Sequence, residues 1–334
     1  MRSKSIYFTL TILLSAISGI LCSKEEYYPL FQDSKNLENC NYESCCPCPS
    51  KNSFFIRGDA LYWTPRVTGL ELDFGRTSIV ENIVDSTQIF ITREEDLDPH
   101  FKWDAGYRAG AGYESNNWGM EALWTHFQSS GKRSNKQLFE RRDEGKVNIK
   151  FDQIDVVFLY NYKATCLLTL KPFFGVRASK INEHVKGISF TDITFNSLPA
   201  LETRTFNDKQ KYWGIGPLFG VQGNWEIGSG FGIYGNVGAS LLYGEYKINY
   251  KDTDIFTVPF SKQIFAFNKR HLHGFDCNLD LGLGISWSKV IFQKYEVKMK
   301  LGFEQHQYFN QNRIGSSRGD ISFTGGVFSL ELGF

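Results

Sequence analysis

From Phe54 to the C-terminus the chain repeatedly alternates apolar and polar side chains with a period of two, over runs longer than the usual strand of roughly 5–6 residues. The clearest run covers 101–113: Phe101, Trp103, Ala105, Tyr107, Ala109, Ala111 and Tyr113 point one way, and Lys102, Asp104, Gly106, Arg108, Gly110 and Gly112 the other. The same pattern returns at 212–227, at 231–244, at 278–287 and at 295–304. Successive side chains of a strand point to opposite faces, so each run specifies a strand with one apolar face. Beyond residue 22 no apolar stretch approaches the roughly 18 residues of a spanning helix, which excludes a helical membrane protein.

Charge and composition narrow the classes further. Of 334 residues, 37 are Lys or Arg and 36 are Asp or Glu, a formal charge of +1 without the basic excess of a nucleic-acid binder. The 29 Phe, 16 Tyr, 7 Trp and 31 Gly are too apolar for disorder and poorly suited to helices. Arg2 and Lys4 precede an apolar run from Ile6 to Leu21, followed by the small residues Cys22 and Ser23, the pattern of a cleaved signal peptide over 1–22. The mature chain is then expected outside the cytoplasm, where disulfides persist. It begins with a polar, cysteine-rich periplasmic segment, 23–51, and continues as the alternating region 52–334.

A half-buried soluble sheet would show the same alternation, and three features separate it from a transmembrane barrel. Ten strong strands are expected, at about 53–64, 101–113, 118–128, 147–160, 167–180, 211–227, 231–247, 274–288, 294–309 and 321–334. The connections 114–117, 161–166, 228–230 and 289–293 are short, whereas 65–100, 129–146, 181–210, 248–273 and 310–320 are long and polar. Short turns on one side and long loops on the other are the signature of an outer-membrane barrel. Under that topology Trp63, Trp103 and Trp213 fall at the long-loop rim and Trp118, Trp225 and Trp287 at the short-turn rim, as interfacial girdles require. Finally, Phe328, Leu330, Leu332 and Phe334 alternate up to the last residue, so the final strand has to be paired, which closure onto the first strand achieves. In lipid every backbone polar group must be bonded within the protein, and an antiparallel sheet survives there only as a closed barrel.

The expected architecture is therefore all-β: a transmembrane antiparallel up-and-down barrel of about ten strands, with long extracellular loops and short periplasmic turns, in the bacterial outer membrane. If parts of 65–100 and 181–210 are also strands, the barrel widens to 12 or 14. Between Phe151 and Phe158 the apolar parity slips, which implies a bulge or an inward Asp155. Pro172 and Pro217 lie within strands, where each removes a ladder donor.

Several motifs carry a family resemblance. Gly58-Asp59-Ala60-Leu61-Tyr62-Trp63-Thr64-Pro65 is followed by Gly69-Leu70, then by Trp103-Asp104-Ala105-Gly106-Tyr107-Arg108-Ala109-Gly110 and Trp124-Thr125-His126-Phe127. Asp155 and Leu170-Lys171-Pro172-Phe173-Phe174-Gly175-Val176-Arg177 come next, and Gly214-Ile215-Gly216-Pro217 through Leu241-Leu242-Tyr243-Gly244 complete the series. In this order they resemble the Legionella-type major outer membrane protein family, which also has members in chlamydia-like bacteria. The resemblance spans about 58–244 and implies a porin-like barrel; beyond 245 the likeness is one of pattern. The cysteine-rich front segment is not expected throughout that family.

The inward-facing charges expected to line the lumen are Arg57, Asp59, Lys102, Asp104, Arg108, Glu121, Lys171, Arg177, Asp280, Glu296, Lys298, Lys300 and Glu304. They either tune passage through water or pair across a narrow interior. Eight strands give a lumen just filled by side chains and 16–18 an open channel, so ten lie near the filled end. Physics favours a narrow lumen and the resemblance a pore; passive passage of small solutes or ions is the expected function, with a non-conducting structural or adhesive role the alternative. Cys40, Cys45, Cys46, Cys48 and Cys166 are disulfide candidates, within the tail or to other envelope proteins. Cys166 and Cys277 are not expected to pair, because ~25 Å of hydrocarbon band separates them. His126, His271, His273, Asp276 and His306 are the available acid/base groups, without an H-E-x-x-H motif, so no enzyme, metal site or cofactor is expected. The expected partners are outer-membrane lipid and, through a terminal Phe334 that resembles its recognition signal, the outer-membrane assembly machinery.

Overall fold

The computed structural model describes residues 52–70, 77–82, 88–93, 99–115, 117–138, 141–195, 198–257, 262–292, 295–314 and 318–334. The signal peptide and the cysteine-rich segment, with Cys40, Cys45, Cys46 and Cys48, lie outside the described residues.

Ten strands form the barrel: β1 (Ser53–Val67), β2 (Asp104–Ser115), β3 (Trp118–Leu138), β4 (Arg141–Tyr160), β5 (Leu168–Phe195), β6 (Leu198–Gly228), β7 (Phe231–Thr257), β8 (Lys262–Ile291), β9 (Tyr295–Asn312) and β10 (Gly319–Gly333). Each pairs antiparallel with the next, and β1 pairs with both β2 and β10, with Asp59 opposite Arg108 and Leu61 opposite Val327. The seam is completed by Phe54 and Phe334, whose backbones exchange hydrogen bonds of 3.1 and 2.9 Å. Closure leaves no barrel strand with an unpaired edge, the condition for a sheet in lipid. Two short strands, His100–Phe101 and Tyr162–Lys163, lie beside β3 and β5, and a hairpin of Thr77–Asn82 with Gln88–Arg93 belongs to a separate sheet.

Three of the expected long loops are largely strand. β5, β6, β7 and β8 run for 28, 31, 27 and 30 residues, against 15, 12 and 15 for β1, β2 and β10. The segment 181–210 is thus strand, but it lengthens β5 and β6 upward and leaves the barrel at ten strands rather than 12 or 14. On β6 the lipid-facing apolar residues run from Ile215 to Trp225, matching the roughly 9–11 residues that a tilted strand needs to cross a bilayer. Everything on β6 from Leu198 to Lys211 therefore stands outside the membrane as sheet.

Local sequence explains the joints. At the β6–β7 turn Gly228, Ser229 and Gly230 all have positive φ, and a Cβ on Gly230 would lie 2.2 Å from the Ser288 carbonyl oxygen. Around Gly216-Pro217 the pairing to β7 is interrupted without a change of register, as expected where Pro supplies no donor. The parity slip in β4 is not a bulge, for β4 pairs in constant register with β5 throughout. Asp155, Phe151 and Ile149 all face inward, while Ile154, Val156 and Phe158 face lipid. The slip marks a change in the interior, from apolar at Ile149 and Phe151 above to polar at Gln153 and Asp155 below.

Candidate functional site

Inside the membrane band the lumen is crossed by charge pairs. Arg57 Nε lies 2.8 Å from Asp59 Oδ1 and its Nη1 3.3 Å from Glu121 Oε1. Arg108, from β2, reaches Asp59 at 3.0 Å and Glu304 of β9 at 3.1 Å. His306 lies 3.8 Å from Glu304 and 2.7 Å from Asp280. Arg177, from β5, meets Asp280 at 2.5 Å and grips Asp155 with two bonds of 2.7 and 2.8 Å. It also donates to Asn278, while Tyr308 donates to Gln153, which itself donates to Asp155 at 2.8 Å. The chain of contacts runs from β1 to β5, on opposite sides of the barrel, and nearly all its members are buried. Guanidinium forks and carboxylates in so dry a setting hold one another firmly, because freeing either partner exposes an uncompensated charge.

Toward the short-turn end a looser set follows. Lys171 donates to Glu114 at 2.6 Å, and Lys298 bridges Glu331 at 3.2 Å and Glu296 at 3.4 Å. Lys300 lies over the Tyr234 ring at 5.8 Å.

Toward the long-loop end the interior turns apolar. Trp63, Phe127, Phe151, Phe323 and Tyr308 pack ring to ring, with Phe151 and Phe323 at 4.6 Å and Trp63 and Phe127 at 5.4 Å. Ile149, Ile181, Val147, Val185, Leu242 and Ile248 extend this core above the membrane. The distal end of β9 and the connection after it fold in over it: Gln311, Asn312 and Ile314 are wholly buried. Gln210 donates to the Gln311 carbonyl at 2.8 Å, Tyr250 to the Arg313 carbonyl at 2.9 Å, and Asn312 to the Thr68 carbonyl at 2.8 Å. Arg313 stacks 3.8 Å above Tyr246 and bridges Asp276 at 3.1 Å. This segment caps the barrel.

Most of the expected lumen residues, Arg57, Asp59, Asp104, Arg108, Glu121, Lys171, Arg177, Asp280, Glu296, Lys298, Lys300 and Glu304, carry the inward parity of their strands. Lys102 is a correction: it is exposed in the coil before β2 and lies outside the strand that would aim it inward. Trp63 is a second correction. It shares parity with inward Asp59, so it is fully buried at the heart of the aromatic layer and belongs to no girdle. Trp103 stacks on lipid-facing Tyr62 at 5.5 Å, and Trp118, Trp213 and Trp225 are exposed on the outer face, where Trp287 is half-buried. Trp124 joins the outer rim, edge-on to Tyr107 at 5.4 Å. Sequence reasoning left His306, Tyr308, Gln153, Asn278 and Glu331 out of the lumen set, although strand parity places each one inward; Asp155 faces inward, one of the two alternatives the parity slip offered.

The acid/base groups weighed for catalysis are split by the wall. His126, His271 and His273 face outward, with His126 2.6 Å from Asp152, whereas Asp276 and His306 face inward. Cys166, at the β4–β5 turn, and Cys277, on the outer face of β8, are both exposed.

A family model described as the Legionella pneumophila major outer membrane protein precursor matches residues 45–329. No curated protein matches the chain. Among solved structures, the outer membrane protease OmpT from Escherichia coli is similar at 10% identity and a TM-score of 0.44, covering 86% of this chain and 97% of its own. A major outer membrane protein from Thermus thermophilus is 8% identical over 85% of this chain and 99% of its own, with a TM-score of 0.27. The Pseudomonas putida toluene transporter TodX is 7% identical over 85% and 89%, with a TM-score of 0.30.

Proposed function

The chain belongs to the Legionella pneumophila major outer membrane protein family, and on that footing we propose that it is an envelope barrel whose lumen is closed at rest, passing small solutes or ions only when the cap over 310–314 is displaced. The observation that carries this reading is the double barrier: an Arg–carboxylate lattice joining opposite walls, with a ring-packed apolar layer above it. A barrel of ten strands has an interior close to that of eight, which side chains fill. Water columns of the kind found in wide channels have no room between Arg177, Asp280 and Tyr308. The cap is the distal end of β9 with the connection after it, held largely by side-chain hydrogen bonds, so its displacement leaves the wall below Tyr308 intact. Behind it lie charges of both signs, which favours small polar or ionic solutes over apolar ones.

The reading assigns no catalytic role, because the five groups weighed for it are divided by the wall, His126, His271 and His273 outward and Asp276 and His306 inward. Planar-bilayer recording of the refolded mature chain tests it. The wild type is expected to stay silent or open briefly and in small steps, and Trp63→Ala/Phe323→Ala to conduct steadily. Wide, long-lived openings of the wild type, unchanged by those substitutions, would overturn the proposal.

A further inference from the structure

Above the girdle the outward face of β3–β7 turns basic, while its inward face carries the apolar core. Lys132, Lys146 and Lys186 stand directly opposite one another on β3, β4 and β5. Closer to the membrane Lys211 on β6 opposes Lys247 on β7, and Lys150 and Lys211 flank Asn182. Like charges placed opposite each other across a sheet are destabilising. Of the acids on this face, Asp152 is engaged by His126 at 2.6 Å, and Glu245, held by Trp213 at 3.0 Å and His271 at 3.5 Å, bridges Lys247 at 3.2 Å. Among the described residues Lys146, Lys150, Lys186 and Lys211 take part in no ion pair. Lys132, Lys146 and Lys186 line one open groove of about 840 Å³ with Glu144 as its acid. His184, on the same face, is held below the usual histidine range, by burial first and also by Lys186 and Lys209.

We propose that this wall binds the phosphorylated headgroups of glycolipid in the outer leaflet. Height selects the occupant. Lys180 lies in register with girdle residue Trp213, and Lys211 follows two residues above it, ~7 Å along the strand. Lys186 stands six residues beyond Lys180, ~20 Å along the strand and, at the ~40° tilt of barrel strands, ~15 Å in height. A phospholipid headgroup layer is only ~5–8 Å deep, too shallow to reach the upper lysines. A glycolipid with phosphates on its sugars spans both levels, and each phosphate supplies the anion that opposed lysines lack. The tall wall on β3–β7 gives this surface; β1, β2 and β10 stop too low to carry one. The inference is independent of whether the lumen conducts.

The test uses the mature chain in neutral detergent, titrated with a bisphosphorylated lipid A–core glycolipid and followed by native mass spectrometry. Salt-sensitive binding is expected, weakened about tenfold or more by Lys146→Gln/Lys186→Gln/Lys211→Gln and retained by the corresponding Arg substitutions. The same glycolipid after phosphatase treatment is expected to bind the wild type as weakly as the native glycolipid binds the Gln variant. Inorganic phosphate at millimolar concentration is expected not to displace the lipid. Unchanged binding by the Gln variant, equal binding of the dephosphorylated lipid, or displacement by inorganic phosphate would each overturn the proposal. Lysine-dependent retention on a soluble sulfated polysaccharide, without lipid binding, would also overturn it. The phosphatase arm needs only wild-type protein, so a folding defect in a variant leaves the proposal exposed to refutation.

Discussion

Arg177 on β5 and Asp280 on β8 meet at 2.5 Å across the lumen, and the same guanidinium holds Asp155 of the adjacent β4 at 2.7 Å. Asp155 has this guanidinium as its cation, and Asp280 shares it with His306 at 2.7 Å. Replacing Arg177 with Met should cost about 3–5 kcal/mol, since it strands buried charge. Arg177→Met/Asp155→Leu should recover part of that loss. Urea unfolding in detergent, followed by far-UV circular dichroism, checks the order of the two variants.

Trp63 and Trp118 should behave as opposites. Trp63→Ala empties the centre of the aromatic layer and should cost about 3–5 kcal/mol, whereas Trp118→Ala removes a ring exposed on the outer face and should cost less. Brominated lipid should quench Trp118, Trp213 and Trp225 but not Trp63, as single-Trp variants would reveal.

Glu183 is buried above the membrane with both carboxylate oxygens unpartnered, between Ile149 and Gln210 in register. Burial pushes its pKa from 4.5 up to about 8. The folded state thus holds this proton more tightly than the unfolded state does. The advantage is complete below about pH 4.5 and is lost as pH rises to about 8. Glu183→Gln should flatten that slope and, at pH 9, exceed the wild type by on the order of a few kcal/mol. Melting curves of both proteins across pH 4–9 decide the matter; parallel curves would contradict the assignment.

Orientation is open to chemical labelling. Lys209→Cys lies on the tall outer wall and Ser229→Cys on the short β6–β7 turn. In a background without native cysteines, a membrane-impermeant maleimide should label the first in intact cells and the second only after the outer membrane is breached.

The membrane band was legible in the amino-acid order because lipid imposes one rule on every strand: apolar outward, polar or small inward. Phe328 to Phe334 obey it without exception, and Ile215 to Trp225 obey it apart from inward Leu218 and outward Gly223. Above the membrane that rule lapses. Along 199–211 the lipid constraint is gone, alternation fades into a polar run, and strand reads as loop. Trp63 was misplaced for a related reason, since its height in the chain suggested a rim whereas its parity with Asp59 fixed it inside. The charges were readable as inward, but their partners were not. Whether Arg108 meets Glu304, two strands beyond β1, depends on the tilt and stagger of the closed cylinder, which no single strand encodes.

The unequal strand lengths divide the protein between two solvents. Below, acyl chains surround the wall and backbone pairing is compulsory, because an unbonded amide has no alternative. Above, the same strands carry wet lysines on one side and a dry hydrocarbon filling on the other, so that storey is held by aqueous collapse as in a freely dissolved protein. Agents that act through water, urea among them, should therefore strip the turret first and leave a stub still seated in the bilayer, unfolding in two stages where a barrel of uniform height would show one.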